Sequence, residues 1–416
     1  MGAPFLMKKR TKTLFAIYFA YFLDYFGYAI VFGIFGPLML APEFGMFSPE
    51  TSPQARNLAL ASLFAVFPLM QLISAPVFGD LADHFGRKKT FIVLNLGATL
   101  GYSLSGLAIL MHHFPLLMIS RFLTGVFSSS RTICMASLSD LSPDEQSRSN
   151  SYGAIATFGG LSWIVSMLVG GVFSESINPA IPFWITTALS FLSLGIVMIF
   201  FHETISQKER FTFEPFKGIR NISSCFKIKR LGSLYFFYLF MMMGWGINLL
   251  WLNPYTLTRY PISNQSLFIL LASTGVVWSL GSSIINKLLL KRFHSQEIAY
   301  IGTVGLLIIF ILCSLMKSFI PFALCALLAS AFGALAWTNA LSTISLKAPE
   351  DIQGKVMGIS QSFGSISLLF APLLAGSIAG VDIAYVYPMA AFLILISIGV
   401  LALATRKSRK PYESKT

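Results

Sequence analysis

The chain has 416 residues, of which 55% are apolar and only 11% charged, with a formal net charge of +13. A soluble domain carries about 25% charged residues, so this chain lacks the polar groups to cover a globular surface in water, and lipid must be part of its solvent. That composition excludes an ordinary soluble enzyme or binding domain.

Apolar runs long enough to cross a hydrocarbon core of ~30 Å, about 20 residues each, recur along the chain. In order they fall near 14–40, 58–78, 91–111, 115–138, 152–173, 182–201, 232–256, 266–286, 298–316, 319–343, 357–379 and 384–404, which predicts twelve membrane helices. Pro and Gly inside several of them are tolerable, because neighbouring helices satisfy the freed backbone groups. Lys8, Lys9, Arg10 and Lys12 precede the first run as they would in a signal peptide. The run is too long, contains Asp24 and lacks a small-residue cleavage site, so it reads as an uncleaved first helix.

The basic residues are distributed unevenly between the two sides. The N-terminus, the alternate connections and the C-terminus collect 25 of the 30 Lys and Arg. The opposite side holds Arg56, Arg259 and Lys317, while Arg121 and Arg131 fall inside a span. The positive-inside rule then puts both termini in the cytoplasm. The net charge follows from this asymmetry and from attraction to anionic headgroups, so it argues for a bilayer and against nucleic acid.

A basic segment, 202–230, holds Lys208, Arg210, Lys217, Arg220, Lys227, Lys229 and Arg230 and has no sustained apolar run. The sequence repeats on either side of it. Gly153, Phe158, Gly159 and Gly171 recur as Gly358, Phe363, Gly364 and Gly376, each offset by 205 residues. Ser142, Pro143, Asp144, Glu145 is answered by Ala348, Pro349, Glu350, Asp351. The expected fold is an all-α membrane protein of two six-helix pseudo-repeats around a central cavity. Its units are a bundle at 1–201, a cytoplasmic linker at 202–230, and a bundle at 231–416 with a short cytoplasmic tail.

No G-x-x-x-x-G-K-[ST] loop is present; Gly86, Arg87, Lys88, Lys89, Thr90 only approaches one. Cys134, Cys225, Cys313 and Cys325 are scattered and the five His form no ligand-spaced set, so neither a disulfide framework nor a metal is expected. An ATP-driven mechanism is not expected either.

The most informative stretch is Gly79, Asp80, Leu81, Ala82, Asp83, His84, Phe85, Gly86, Arg87, Lys88, Lys89, a charged turn between two long apolar runs. It resembles the signature of the major facilitator superfamily between its second and third membrane helices. The resemblance implies that Gly79 and Gly86 allow close approach and a sharp turn, and that Asp83 faces the positive N-terminal end of helix 11. It also implies that Arg87 joins an ionic cluster with an acid at the end of helix 4, here Asp140, which latches the halves in the outward-facing state. His84 stands where the family usually has arginine.

Asp24 is the one acid well inside an apolar run, about 15 Å along the helix from the Thr11 to Thr13 region at 1.5 Å per residue. A carboxylate there is costly unless it is protonated, paired or faces water, which makes it a candidate proton carrier. Leu23, Asp24, Tyr25, Phe26, Gly27, Tyr28 resembles the first helix of tetracycline and multidrug efflux members. Ile119, Ser120, Arg121, Phe122, Leu123, Thr124, Gly125 resembles the family's fourth-helix motif, an arginine with a glycine four residues on. A buried guanidinium needs an anionic or carbonyl partner, and Asp24 is the expected one.

In helix 5, Gly170 and Gly171 keep the second half of an antiporter pattern, but Ser166 and Met167 occupy the usual Gly-Pro positions; the repeat partner in helix 11 retains Ala371 and Pro372. Gly125, Gly170, Gly171, Pro372 and Gly376 are expected to serve helix packing. Tyr28, Gln71, Asn248, Trp337 and Asn339 are expected to line the cavity, since polar groups in a span face protein or water.

The function implied is a secondary transporter of the drug and proton antiporter type, a monomer in a bacterial cytoplasmic membrane. It would use the proton gradient and no cofactor to export a small amphipathic compound. A proton-coupled importer of a small metabolite is the alternative left by the altered helix 5. A polytopic membrane enzyme, with His112 and His113 as its candidate groups, and a transport-dead sensor are remote alternatives.

Overall fold

A computed structural model describes residues 3–40, 46–141, 145–205, 220, 231–348 and 353–408. The expected linker lies largely outside these, as does the end of the C-terminal tail. In chain order the helices are α1 (Ala3–Leu40), α2 (Pro53–Phe85), α3 (Arg87–Leu110), α4 (Phe114–Val126), α5 (Ser130–Leu141), α6 (Glu145–Ser176) and α7 (Ile181–Phe200). They continue as α8 (Gly232–Arg259), α9 (Asn264–Leu289, with a π-helical turn at Gly281–Ile285), α10 (Ser295–Leu315), α11 (Phe319–Leu346), α12 (Gln353–Ala379) and α13 (Val386–Ser408). Among the described residues, 10 helices are long and apolar enough to cross a membrane.

Two expectations need correction. The fourth run, read as one helix over 115–138, is split into α4 and α5 by residues 127–129. The cause is local: Ser128 Oγ donates to Gly125 O at 2.7 Å, while Ser129 O accepts the first amides of α5, Thr132 N at 3.0 Å and Ile133 N at 3.4 Å. Consecutive serines offer the backbone such alternatives to a continuous helix. The charged stretch read as a turn is mostly helical, because α2 runs on to Phe85 and only Gly86 breaks the path. Gly86 has φ 106°, a value that favours glycine.

The outer helices invert the pattern of a soluble helix. On α3, Val93, Leu96, Leu100 and Leu107 form an exposed apolar stripe at helical spacing, while Leu94, Ala98 and Tyr102 face inward. On α11, Ile320 is 72% exposed and Leu324 and Leu328 follow it on the same face. Such a surface is at home only in hydrocarbon.

Inside, α1 packs on α6 and α7, and α8 packs on α12 and α13. The contacts match residue for residue. Tyr18 stacks on Phe158 at 5.4 Å, and Tyr235 on Phe363 at 5.4 Å. Ser162 Oγ donates to Phe22 O at 2.6 Å, and Ser367 Oγ to Leu239 O at 3.0 Å. Each such bond to a helix carbonyl contributes roughly 1 kcal/mol.

The two sets of helices meet through α6 with α9, α2 with α12, and α1 with α8. At the ends away from the linker they touch closely: Asn253 Nδ2 donates to Phe32 O at 2.8 Å and Gly33 O at 2.7 Å. At the linker end, α5 packs on α1, α2, α3 and α6, whereas α11 packs on α8, α9, α10 and α12. Between those groups Arg131 and Thr132 are exposed. The interior is therefore closed on one side and open toward the linker.

Candidate functional site

The cluster at the linker end is built on the last turn of α2 and the first of α3. Arg87 Nη1 pairs with Asp83 Oδ1 at 2.7 Å, and Arg87 Nε with Asp140 Oδ2 at 3.3 Å. Chain after α7 completes it. The Glu203 carboxylate accepts the amides of Arg87 at 2.9 Å and Lys88 at 3.2 Å, satisfying donors that every helix N-terminus leaves unpaired. Thr204 Oγ1 donates to Asp140 at 2.9 Å. A Cβ on Gly86 would lie 2.4 Å from Glu203 Oε2, so glycine is needed for space as well as for φ. Gly79 differs from expectation: a Cβ there would have nothing within 4 Å. The side chains at the α12 N-terminus, the expected partner of Asp83, lie outside the described residues.

Asp24 is half-buried on α1 beside the break between α4 and α5. Its carboxylate lies within reach of the side chain of Ser130, the first residue of α5, and within electrostatic reach of Arg131. The positive end of α5 sits at the same place, which suits an anion. Tyr21, Tyr25 and Tyr28 from α1 and Tyr238 from α8 surround Arg131. Across the opening, Trp337 Nε1 donates to Tyr238 Oη at 3.2 Å, and the Trp278 ring packs at a tilt against Trp337 at 6.0 Å and Trp245 at 4.8 Å.

Arg121 does not pair with Asp24 in this conformation. Tyr102 stands within reach of both charges, its ring packed against Gly27. Arg121 is 2% exposed, and its Nη1 donates to Thr124 Oγ1 at 3.3 Å while Nε has no partner. The rings of Phe67 and Phe35 lie 4.7 and 5.5 Å from the guanidinium carbon. With Tyr28 and Gln71 it lines a cleft whose enclosed space is about 20 Å³, room for a water molecule. The cleft would have to widen to admit anything larger.

Of the other expected residues, Tyr28, Gln71 and Trp337 face the interior as described. Asn248 and Asn339 do not: Asn248 Oδ1 accepts from Tyr387 Oη at 3.1 Å, and Asn339 Nδ2 donates to Asn286 Oδ1 at 2.7 Å, both buried between helices. Their amides join helices instead of lining the cavity. Gly125 packs on α2, where a Cβ would meet Phe67 O at 2.8 Å. A Cβ on Gly170 would sit 3.2 Å from Ile30, and one on Gly171 2.7 Å from Phe268 of α9. A Cβ on Gly376 would meet Ala61 of α2 at 2.5 Å, and Pro372 is buried within α12. Ser166, at the eroded Gly-Pro site, donates to Phe26 O at 3.0 Å.

Sequence reasoning missed Arg131, Ser130, Glu203 and Thr204. Three serines in an apolar run were the available signal for the first pair, because serine is a preferred N-cap. Nothing local links Glu203 to Arg87.

Helices apolar enough to cross a membrane, packed with Asp24 and Arg121 among them, define a multi-span membrane protein by class. The comparisons specify which. Residues 17–321 match the pattern of the Major Facilitator Superfamily, and the chain belongs to that family. It is 24% identical over 330 residues to the tetracycline resistance protein, class H, of Pasteurella multocida, covering 78% of this chain and 80% of that one. It is 24% identical over 356 residues to multidrug resistance protein 2 of Bacillus subtilis, covering 81% and 84%. The crystal structure of a D-xylose-proton symporter shares the fold with a TM-score of 0.74 at 14% identity, covering 94% of this chain and 97% of that one. The protein is thus a multi-pass integral membrane transporter of small molecules and not an enzyme.

Proposed function

We propose that the protein is a proton-coupled exporter of a small amphipathic compound, working by alternating access. The observation that carries this reading is Asp24, a half-buried acid at a helix break in the cavity, with Ser130 and Arg131 as its partners. In the proposed cycle Asp24 takes a proton from the outside and releases it inside, and substrate occupies the cavity in its place. The similarity to tetracycline and multidrug resistance proteins supports export.

Twelve spans in two six-helix repeats fit the matched contacts of α1 with α6 and α8 with α12, with α4 and α5 together forming the fourth span. The proposed units would be 1–201, 202–230 and 231–416. Both termini would lie in the cytoplasm of a bacterial cell, so the opening toward the linker would be inward-facing. The Asp83, Arg87 and Asp140 cluster would close against α12 in the outward-facing state, using the empty space beside Gly79. A single chain holds all these parts, consistent with a monomer driven by the proton gradient alone.

The second reading, proton-coupled import, is favoured by Ser166, whose bond to Phe26 O replaces the antiporter Gly-Pro. Inverted membrane vesicles loaded with a proton gradient separate the two across a panel of aromatic amphiphiles. Exchange predicts accumulation when the lumen is acidified, abolished by a protonophore. Accumulation only when the outside is acidified would favour import. Orientation is tested separately in a background lacking the four native cysteines. A cysteine at Ser206 should resist an impermeant thiol reagent on intact cells, while one at Ser263 should react; the reverse would overturn the topology.

A further inference from the structure

We infer that the substrate carries an anionic group, such as a carboxylate or sulfonate, on an apolar or aromatic body, and that Arg121 is the residue that receives it. This rests on the reading of the protein as a transporter, and it does not depend on the direction of transport.

The argument is a count of charges. The described membrane interior holds Asp24, Arg121 and Arg131, which leaves one positive charge in excess. Asp24 lies on the linker side of Arg121, within reach of Ser130 and Arg131. Arg121 has the Thr124 hydroxyl at 3.3 Å, an Nε without a partner, and no carboxylate within ion-pair distance among the described residues. Removing a guanidinium from water is costly unless it is paired, and the Phe35 and Phe67 faces offset only part of that cost.

In this conformation the cleft at Arg121 has room for a water molecule, and its lining suits such a ligand once the cleft widens. Arg121 lines the cleft at the closed end of the opening with Tyr28, Phe32, Phe64 and Gln71. A guanidinium offers parallel N–H donors that match a carboxylate in two bonds. The surrounding rings supply the apolar contact for the rest of the molecule. Tyr28 and Gln71 are the neutral polar groups at its edge.

Coupling constrains the remainder of the substrate. An anion alone at Arg121 would favour a proton on Asp24 and travel with it. Exchange against protons therefore requires that the substrate also present a positive or hydrogen-donating group toward Asp24.

The test uses four compounds on one ring system: 2-naphthoate, 2-naphthamide, 2-naphthylmethylammonium and 6-(aminomethyl)-2-naphthoate. Binding is measured by isothermal titration to the full-length protein in detergent. Wild type should prefer each carboxylate over the matching uncharged or cationic compound by about tenfold or more, the scale of a charge-assisted bond. Arg121→Gln should abolish that preference, and Arg121→Lys should retain part of it. Gel filtration and thermal unfolding confirm that the variants fold; if they do not, the wild-type preference decides alone. Equal affinity for all four, tighter binding of the cation or amide, or an unchanged preference in folded Arg121→Gln would overturn the inference. Proteoliposome transport is read separately. Movement of the cation but not the carboxylates would overturn the anion site and keep the transporter. Carboxylate binding with no movement of any compound would keep the site and overturn the transporter reading.

Discussion

The pair α1 with α6 and the pair α8 with α12 have one packing scheme and different chemistry. An offset of 217 residues carries Tyr18 to Tyr235 and Tyr21 to Tyr238, and it carries Asp24 to Met241. Met241 is fully buried whereas Asp24 is half-exposed beside Ser130 and Arg131. On the second side the cavity is lined by Tyr238, Trp245, Trp278 and Trp337. The packing contacts are thus matched between the two pairs, while Asp24 has an apolar counterpart, so the proposed proton chemistry and the aromatic wall lie on different sides of the cavity.

That division is broken most severely by neutralising one half. Arg131→Gln is expected to reduce proton-driven transport in vesicles to the level of empty membranes. Met241→Leu, a volume-conserving change at the corresponding place, should alter it by less than about twofold. Comparable losses from both would show that the halves share the coupling role.

The close approaches between halves should be the next most sensitive. Gly171→Val and Gly376→Val introduce side chains where a Cβ already meets Phe268 at 2.7 Å and Ala61 at 2.5 Å. Each should cost about 1–3 kcal/mol and lower the unfolding temperature in detergent. Gly195→Val on α7, where nothing lies within 4 Å, should leave it unchanged.

Ser162→Ala and Ser367→Ala remove equivalent bonds, to Phe22 O and Leu239 O. Each should destabilise by roughly 1 kcal/mol, measured as equal shifts in unfolding temperature. A large effect from one alone would make the packing symmetry nominal.

The smallest effect belongs to the half-exposed latch. Asp83→Asn should slow turnover by about two- to fivefold, the kinetic counterpart of a partly screened ion pair, with substrate affinity unchanged. Normal turnover would reduce the cluster to a structural turn.

Much of the fold was legible because lipid imposes a simple rule: apolar runs of fixed length between charged connections. The matched spacing of Phe158 and Phe363 pointed to the proposed repeat, and each ring stacks on a tyrosine of the neighbouring helix. The site was less legible. Asp24 stood out because an acid in an apolar run is rare, but its partner did not. The motif around Arg121 pointed to that residue, whereas Ser128, Ser129 and Ser130 bend the chain so that Arg131 is the cation beside Asp24. Asn248 and Asn339 looked like cavity residues because sequence shows that an amide lies in a span and not which face it occupies. Glu203 depends on a contact with a residue 116 positions away, which no local pattern carries.

The central claim is that Asp24 carries the coupled proton. Asp24→Asn in proteoliposomes tests it most directly, with uphill accumulation under a proton gradient and downhill exchange of labelled for unlabelled substrate measured on the same preparation. The account predicts that exchange survives while uphill accumulation is lost, with Asp24→Glu recovering part of it. Undiminished gradient-driven accumulation by Asp24→Asn would contradict it.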